Sequence, residues 1–320
     1  MGRIQYDTSL PVYSFRNDSK VVVAFGTADF NPIEMFGDDV IEIFNFDTQY
    51  QLCSKEYDTA PVVISDGGLE VGSPAGSLLI CGPCAVESRE QMDRVCQLIV
   101  NNGLKVLRAG CFKPRTSIYS FQGLGKKGID ILKEMRDKYS LLIATEVCEP
   151  SQIDEVLQVA DIVQVGAKSM YDYELLRLCT QIDQPVILKR HYAARLEEFA
   201  QMADMLMSKG KQNIILCERG IRTFETATRF TLDLGAVVWI KNHLRLPVIV
   251  DPSHAFGMEY GVIPLAKAAM ALGADGVMVE AHPEPERAMS DSKQQLTLEQ
   301  MQRLINELKP IAKAVNKTLV

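Results

Sequence analysis

The stretch Pro247-Val248-Ile249-Val250-Asp251-Pro252-Ser253-His254 joins a short apolar run to an abrupt polar ending. The run is too brief for an ordinary helix, and its β-branched residues favour extended chain. It shows no polar alternation, so both of its faces must be covered, as in a parallel sheet wrapped by helices. The same design recurs from about Leu78 onward at residues 78–81, 105–108, 141–144, 162–165, 185–188, 213–216 and 276–279, which with 247–250 makes eight runs. Helical spacing fills the gaps between them. Met92, Val95, Cys96 and Ile99 share one face, as do Met301, Leu304, Ile305 and Leu308. Ser88 with Gln91, and Thr297 with Gln300, have the spacing of a capping box at a helix start.

Eight βα repeats predict a closed (β/α)8 TIM barrel over residues 76–320, in preference to an open doubly wound sheet. Just before it, Val62-Val63-Ile64 and Leu69-Glu70-Val71 flank Asp66-Gly67-Gly68, a hairpin signal. Residues 61–75 are therefore expected to close the lower end of the barrel. Residues 1–60 form an N-terminal extension whose strand-like runs are Val21-Val22-Val23-Ala24-Phe25 and Val40-Ile41-Glu42-Ile43-Phe44. No fold is assigned to it.

A length of 320 residues suits one barrel of ~250 residues plus such an extension. Hydrophobic residues at 47% and charged residues at 23% exclude a disordered or collagen-like chain. The net charge of -7 argues against broad nucleic-acid binding, so an anionic ligand must meet locally clustered cations. No apolar run approaches the ~20 residues needed to span a bilayer. Eight scattered cysteines and no secretory leader lead us to expect a reduced, cytoplasmic protein.

Active sites of such barrels are built at the carboxyl ends of the strands. Here those ends are polar. The first run leads into Gly82-Pro83-Cys84, the seventh into Asp251-Pro252-Ser253-His254 and the eighth into Glu280, with Asp291 in the following loop. Cys84, His254, Glu280 and Asp291 offer a sulfur, an imidazole nitrogen and two carboxylates, a set suited to divalent Mn, Fe, Co or Zn. The plainer alternative is a buried cysteine with carboxylates serving as helix caps. Arg108, Lys113, Arg115, Lys168, Lys189 and Arg219 converge on the same end. So many cations repel one another unless anions bind between them, and phosphate ligands are implied.

Several motifs carry a resemblance to a known family. They are Gly82-Pro83-Cys84-Ala85-Val86-Glu87, Lys113-Pro114-Arg115-Thr116-Ser117, Phe121-Gln122-Gly123-Leu124-Gly125, Cys217-Glu218-Arg219-Gly220-Ile221-Arg222-Thr223, Asp251-Pro252-Ser253-His254 and His282-Pro283-Glu284-Pro285. In this order and spacing the chain resembles 3-deoxy-D-arabino-heptulosonate 7-phosphate (DAHP) synthases of the short microbial type, which are similar to 3-deoxy-octulosonate 8-phosphate (KDO8P) synthases. The likeness runs from about residue 50 to the C-terminus. It implies a metal-dependent, aldol-like condensation of phosphoenolpyruvate with erythrose 4-phosphate, the first step of the shikimate pathway. It implies Cys84, Lys113 and His254 as catalytic residues, and Cys84, His254, Glu280 and Asp291 as metal ligands. Arg108, Lys113, Lys189 and Arg219 would hold phosphoenolpyruvate, with Lys168 at a further phosphate contact. Arg115 and Thr116 would hold the phosphate of the acceptor, and the assembly would be a homotetramer.

Some positions depart from the resembling pattern. Lys168 stands where Arg is usual, which exchanges a planar bidentate donor for a point charge. His191 and Arg195 replace Gly and Thr, Phe230 replaces Asn, and Met258 replaces a basic residue. Cys81 replaces Ala and creates Cys81-Gly82-Pro83-Cys84, for which packing is one reading and a redox link to Cys84 another. Two functional alternatives stay open beside the main reading: a different phosphorylated aldose as acceptor, in the manner of KDO8P synthases, and a non-catalytic relative. The first segment resembles neither of the regulatory modules common in the family, so feedback control is not inferred.

Overall fold

The computed structural model describes residues 13–17, 20–24, 31, 33–34, 37–39, 48–113, 117 and 119–320. Arg115, Thr116 and the strand-like run at 40–44 lie outside the described residues. Two antiparallel pairs precede the barrel: β1 (Tyr13–Asn17) with β2 (Lys20–Ala24), and β3 (Ile64–Asp66) with β4 (Leu69–Val71). In the second pair the chain turns at Gly67 and Gly68, both at positive φ, the conformation that a tight hairpin demands and glycine adopts freely.

All eight apolar runs are strands: β5 (Gly76–Gly82), β6 (Val106–Arg108), β7 (Leu142–Val147), β8 (Ile162–Val165), β9 (Val186–Lys189), β10 (Ile214–Glu218), β11 (Val248–Val250) and β12 (Gly276–Glu280). They pair in parallel and in sequence order, and β12 returns to β5 with Gly276 opposite Leu78 and Glu280 opposite Gly82. This closure makes a (β/α)8 TIM barrel. One strand was not foreseen. β13 (Thr318–Leu319) pairs with Gly76 and Ser77 at the start of β5, which ties the C-terminal segment to the barrel.

Alternation along each strand explains the continuous apolar runs. Leu78, Ile80, Val106, Ile162, Ile187, Ile215, Ile249 and Met278 pack together in one cluster, which also takes in Ile64, Leu69 and Val71 of the hairpin. Leu79, Cys81, Leu107, Val163, Leu188, Leu216, Val250 and Val279 belong to a second, larger cluster with the helices. Each side chain fully buried there contributes ~1.5–3 kcal/mol relative to exposure.

The helices are α1 (Arg89–Asn101), α2 (Lys126–Tyr139), α3 (Ile153–Leu157), α4 (Tyr173–Cys179), α5 (Leu196–Met207), α6 (Leu234–His243), α7 (Pro252–Phe256), α8 (Glu259–Ala271) and α9 (Leu298–Ala314). The apolar stripes expected on α1 and α9 are buried. Thr297 and Gln300 form a reciprocal capping box. At α1 the box is open: Ser88 accepts from Gln91 N at 3.1 Å, but Gln91 Oε1 accepts from Glu87 N at 2.9 Å. The side chain of Gln91 thus pins the motif that carries Cys84.

Candidate active site

At the end of β5, Gly82 has a φ of 150°, and a Cβ there would sit 2.0 Å from the carbonyl oxygen of Arg108. Only glycine lets the first two strands approach so closely, and Pro83 and Cys84 then enter the mouth. The amide of Cys84 donates to Gln295 Oε1 at 3.0 Å, and Gln295 Nε2 donates to Ser290 O at 2.8 Å. One glutamine thereby fixes the cysteine backbone against the loop bearing Asp291.

Cys84 Sγ lies 3.4 Å from Asp291 Oδ2 and 3.0 Å from Ser290 Oγ. Single ligand atoms of Cys84, Glu280 and Asp291 all lie within 4.8 Å of one another. His254 Nε2 faces the same carboxylates, 3.5 Å from Glu280 Oε1 and 3.8 Å from Asp291 Oδ2. Its other nitrogen, Nδ1, is 2.7 Å from Asp251 Oδ2. A carboxylate can only accept, so Nδ1 carries a proton, and Nε2 is the nitrogen left to bind an ion in the cluster. A sulfur and two carboxylates around one point, with an imidazole nitrogen facing both carboxylates, suit a divalent ion, and the residues present fit the metal that the motifs imply.

Burial, followed by the nearby Glu280 charge, pushes the Cys84 thiol up to about 12. Glu280 itself titrates well below the usual carboxylate range. Burial opposes this, but the positive neighbours His254 and Arg108 outweigh it. Glu280 is held on all sides: Arg108 Nη1 pairs with Oε1, Gln294 Nε2 donates to Oε2 at 2.5 Å, and the Glu280 amide donates to Ser253 Oγ.

Strand β9 ends in Lys189, whose Nζ lies 2.5 Å from Asp251 Oδ2. Asp251 is buried and also accepts from the His254 amide at 3.0 Å, so one carboxylate joins a cation of the mouth to an imidazole of the ligand cluster. Its pKa is held well below the ordinary value: burial opposes this, and His254 and Lys189 outweigh it. Lys113, in the loop after β6, donates from Nζ to Cys84 O at 3.1 Å. Arg219, just beyond β10, donates from Nη2 to His254 O at 3.3 Å. Two buried guanidinium nitrogens here, Arg108 Nε and Arg219 Nη1, have no hydrogen-bond partner among the described residues.

Cys84, Arg108, Lys113, Lys189, Arg219, His254, Glu280 and Asp291 are therefore brought to one end of the barrel. Lys168 is exposed on the turn Ala167–Ser169 that follows β8. Arg115 and Thr116 fall outside the described residues. Cys81 does not face Cys84; it packs in the layer between barrel and helices, beside Cys96, and all eight cysteines are free thiols.

Sequence reading missed Asp251 as a bridge, and it missed the buried Gln294, Gln295 and Ser290. Asp251 carried a signal, since it is the first polar residue after a strand. Nothing in the sequence separates the two glutamines from those on the surface. Glu87 and His282 were missed as well. Glu87 Oε1 accepts from Met289 N at 2.9 Å, and its Oε2 lies 3.4 Å from His282 Nε2. They anchor the loop that presents Asp291.

The family described as DAHP synthetase I matches residues 60–317. This chain belongs to that family. It is 45% identical over 266 residues to a phospho-2-dehydro-3-deoxyheptonate aldolase of Thermotoga maritima, a match covering 83% of this chain and 78% of the relative. A crystal structure of a phospho-2-dehydro-3-deoxyheptonate aldolase (DAHP synthase) from the same organism superposes with a TM-score of 0.84 at 40% identity, covering 97% of this chain and 92% of that one. A 2-dehydro-3-deoxyphosphooctonate aldolase of Fusobacterium nucleatum is 28% identical, over 78% of this chain and 96% of its own. Both branches named by the sequence motifs are thus relatives, and the heptonate branch has the higher identity.

Proposed function

We propose that this chain acts as a 3-deoxy-7-phosphoheptulonate synthase, condensing phosphoenolpyruvate with erythrose 4-phosphate to give DAHP and inorganic phosphate. One observation supports the chemistry most directly: unpartnered guanidinium nitrogens of Arg108 and Arg219 stand at the same barrel end as the Cys84, Glu280 and Asp291 cluster. A buried donor left unpaired costs about 1–3 kcal/mol, a cost that an arriving phosphate or carboxylate removes.

In this reading Arg108, Lys113, Lys189 and Arg219 hold phosphoenolpyruvate through its anionic groups, and Lys168 adds a phosphate contact from the lip. Cys84, His254, Glu280 and Asp291 hold a divalent metal. When bound, such an ion supplies Lewis acidity toward the aldehyde oxygen of the acceptor. C3 of phosphoenolpyruvate attacks the aldehyde carbon, water adds at C2, and the tetrahedral adduct expels phosphate. The residues contribute mainly by fixing the two substrates in register, and positioning of this kind supplies several kcal/mol of barrier reduction. Arg115 and Thr116 grip the acceptor phosphate.

Assembly as a homotetramer and a cytoplasmic setting complete this reading. No helix among the described residues is long and apolar enough to cross a membrane. Light scattering on the purified chain tests the tetramer directly.

The test of the reaction is phosphate release from phosphoenolpyruvate with product analysis, run with and without a divalent metal. Turnover is expected only with metal and erythrose 4-phosphate together. An octulosonate has one carbon more than a heptulosonate, so the second acceptor to assay is a five-carbon aldose phosphate. Turnover with that sugar alone rejects the acceptor assignment, and full turnover after chelation rejects the metal.

A further inference from the structure

The buried cations at the strand ends are not all held in the same way. Arg108 is paired with Glu280, Lys189 with Asp251, and Arg190 with both Glu218 and Asp233. Among the described residues Arg219 has no carboxylate within ion-pair distance. Its guanidinium instead lies over the ring of Phe230, 4.2 Å from the centroid, with Nη1 buried and unpartnered. A carboxylate neutralises much of the charge it holds, whereas a ring face attracts a cation through its quadrupole and leaves the net charge intact.

We propose that Phe230 is a positioning residue for Arg219, fixing the plane of the guanidinium while its charge stays available to the phosphate of phosphoenolpyruvate. The proposal rests on the reading of Arg219 given above.

The ring is braced from both sides. The Phe230 amide donates to Ala255 O at 2.8 Å, in the helix that carries His254. Gly220 has a φ of 93°, and a Cβ there would lie 2.8 Å from Phe230 Cβ, so glycine beside Arg219 is what allows the ring to approach. Behind Phe230, Tyr192 stacks at 5.2 Å and 23°, followed by His191 at 4.1 Å from Tyr192 and Tyr171 at 5.5 Å from His191. Arg222 caps the Tyr192 ring at 4.5 Å. His191, within the row, is kept below its ordinary pKa by burial and by Arg219 and Arg222. His191 and Phe230 are two of the departures noted in the sequence, and the row of rings explains them together. They replace local polar or flexible residues with a stiff wall that orients one arginine.

The test is calorimetric titration of phosphoenolpyruvate into the full chain supplied with manganese, for wild type, Phe230→Leu, Phe230→Tyr, Arg219→Ala and the Leu/Ala double variant, with melting curves for each. Phe230→Leu keeps apolar bulk but removes the ring face, and it is expected to weaken binding about three- to tenfold. Phe230→Tyr keeps the ring and should stay within about twofold. Arg219→Ala should weaken binding more than tenfold, roughly the loss of one charge-assisted hydrogen-bonding group. In that background Phe230→Leu should add nothing, because its effect runs through the arginine. Wild-type affinity in Phe230→Leu beside a weak Arg219→Ala overturns the positioning role and leaves the site reading intact. Wild-type affinity in Arg219→Ala overturns the site reading itself. A lowered melting temperature without weaker binding, or additive losses in the double variant, assigns Phe230 a purely structural role and also overturns the proposal.

Discussion

Replacing Asp251 by asparagine removes one charge from a buried network while keeping its shape. Asp251 Oδ2 lies 2.5 Å from Lys189 Nζ and 2.7 Å from His254 Nδ1, and Oδ1 accepts from the His254 amide. At an effective dielectric constant of about 20, two unit charges at that lysine distance attract by roughly 7 kcal/mol. Much of this is offset by the cost of burying both ions, but removing one partner leaves the other uncompensated and typically costs about 3–5 kcal/mol. For a chain of 320 residues the expected fall in melting temperature is about 4–8 °C. The second effect is on the imidazole. An amide no longer enforces a proton on Nδ1, so the tautomer that leaves Nε2 free to bind an ion is less favoured, and metal affinity should drop about 10- to 100-fold. Melting the metal-free protein isolates the first effect, and competition with a chelating dye measures the second. If Asp251→Asn melts within about 2 °C of wild type, the network does not bear the charge assigned to it. If metal affinity is unchanged while melting falls, His254 is not a ligand oriented by Asp251.

The metal-free protein holds Cys84 as a thiol, pushed up to about 12 by burial and Glu280, so a divalent ion must displace its proton. Titration in buffers of different ionisation enthalpy should show about one more proton released per ion in wild type than in Cys84→Ala, and equal release removes the sulfur from the ligand set. Gly82→Ala places a Cβ 2.0 Å from a carbonyl oxygen across the first strand pair and should cost more than about 3 kcal/mol in urea unfolding; a neutral outcome contradicts the close approach of β5 and β6. Lys211 is buried with Nζ 2.6 Å from Ile182 O and Gln184 O, and burial pulls its pKa from 10.5 down to about 8. Between those values the unfolded chain holds a proton that the folded chain lacks, so stability rises with pH across the window and is least favoured below it. Allowing for residual hydration, wild type should gain about 1–2 kcal/mol on Lys211→Met from pH 8 to 10.5, and a flat difference contradicts a perturbed lysine.

The sequence alone carried the barrel, and it did so through local pattern. Each apolar run is short, unbroken and followed by polar residues, because a barrel strand is covered on both faces and opens to ligand only at one end. The same logic placed Cys84, Arg108, Lys189, His254 and Glu280 at the mouth, since each stands at or just beyond a strand end. Strand alternation also held the answer for Cys81: with Leu78 and Ile80 turned inward, Leu79 and Cys81 must face the helices, away from Cys84.

What only the tertiary structure decided is who touches whom once distant loops meet. Gln295 reaches back to the Cys84 amide across 211 residues, Asp251 serves Lys189 and His254 together, and β13 joins β5 from the far end of the chain. The ring of Phe230 finds Arg219 only because the loop after β10 doubles back beneath it, with Thr231 paired to Ile221. Hydrophobic periodicity is summed over neighbouring residues and can be read along the chain. Partnership between buried polar groups depends on ångström distances, and these are fixed only when barrel closure brings the strand ends together.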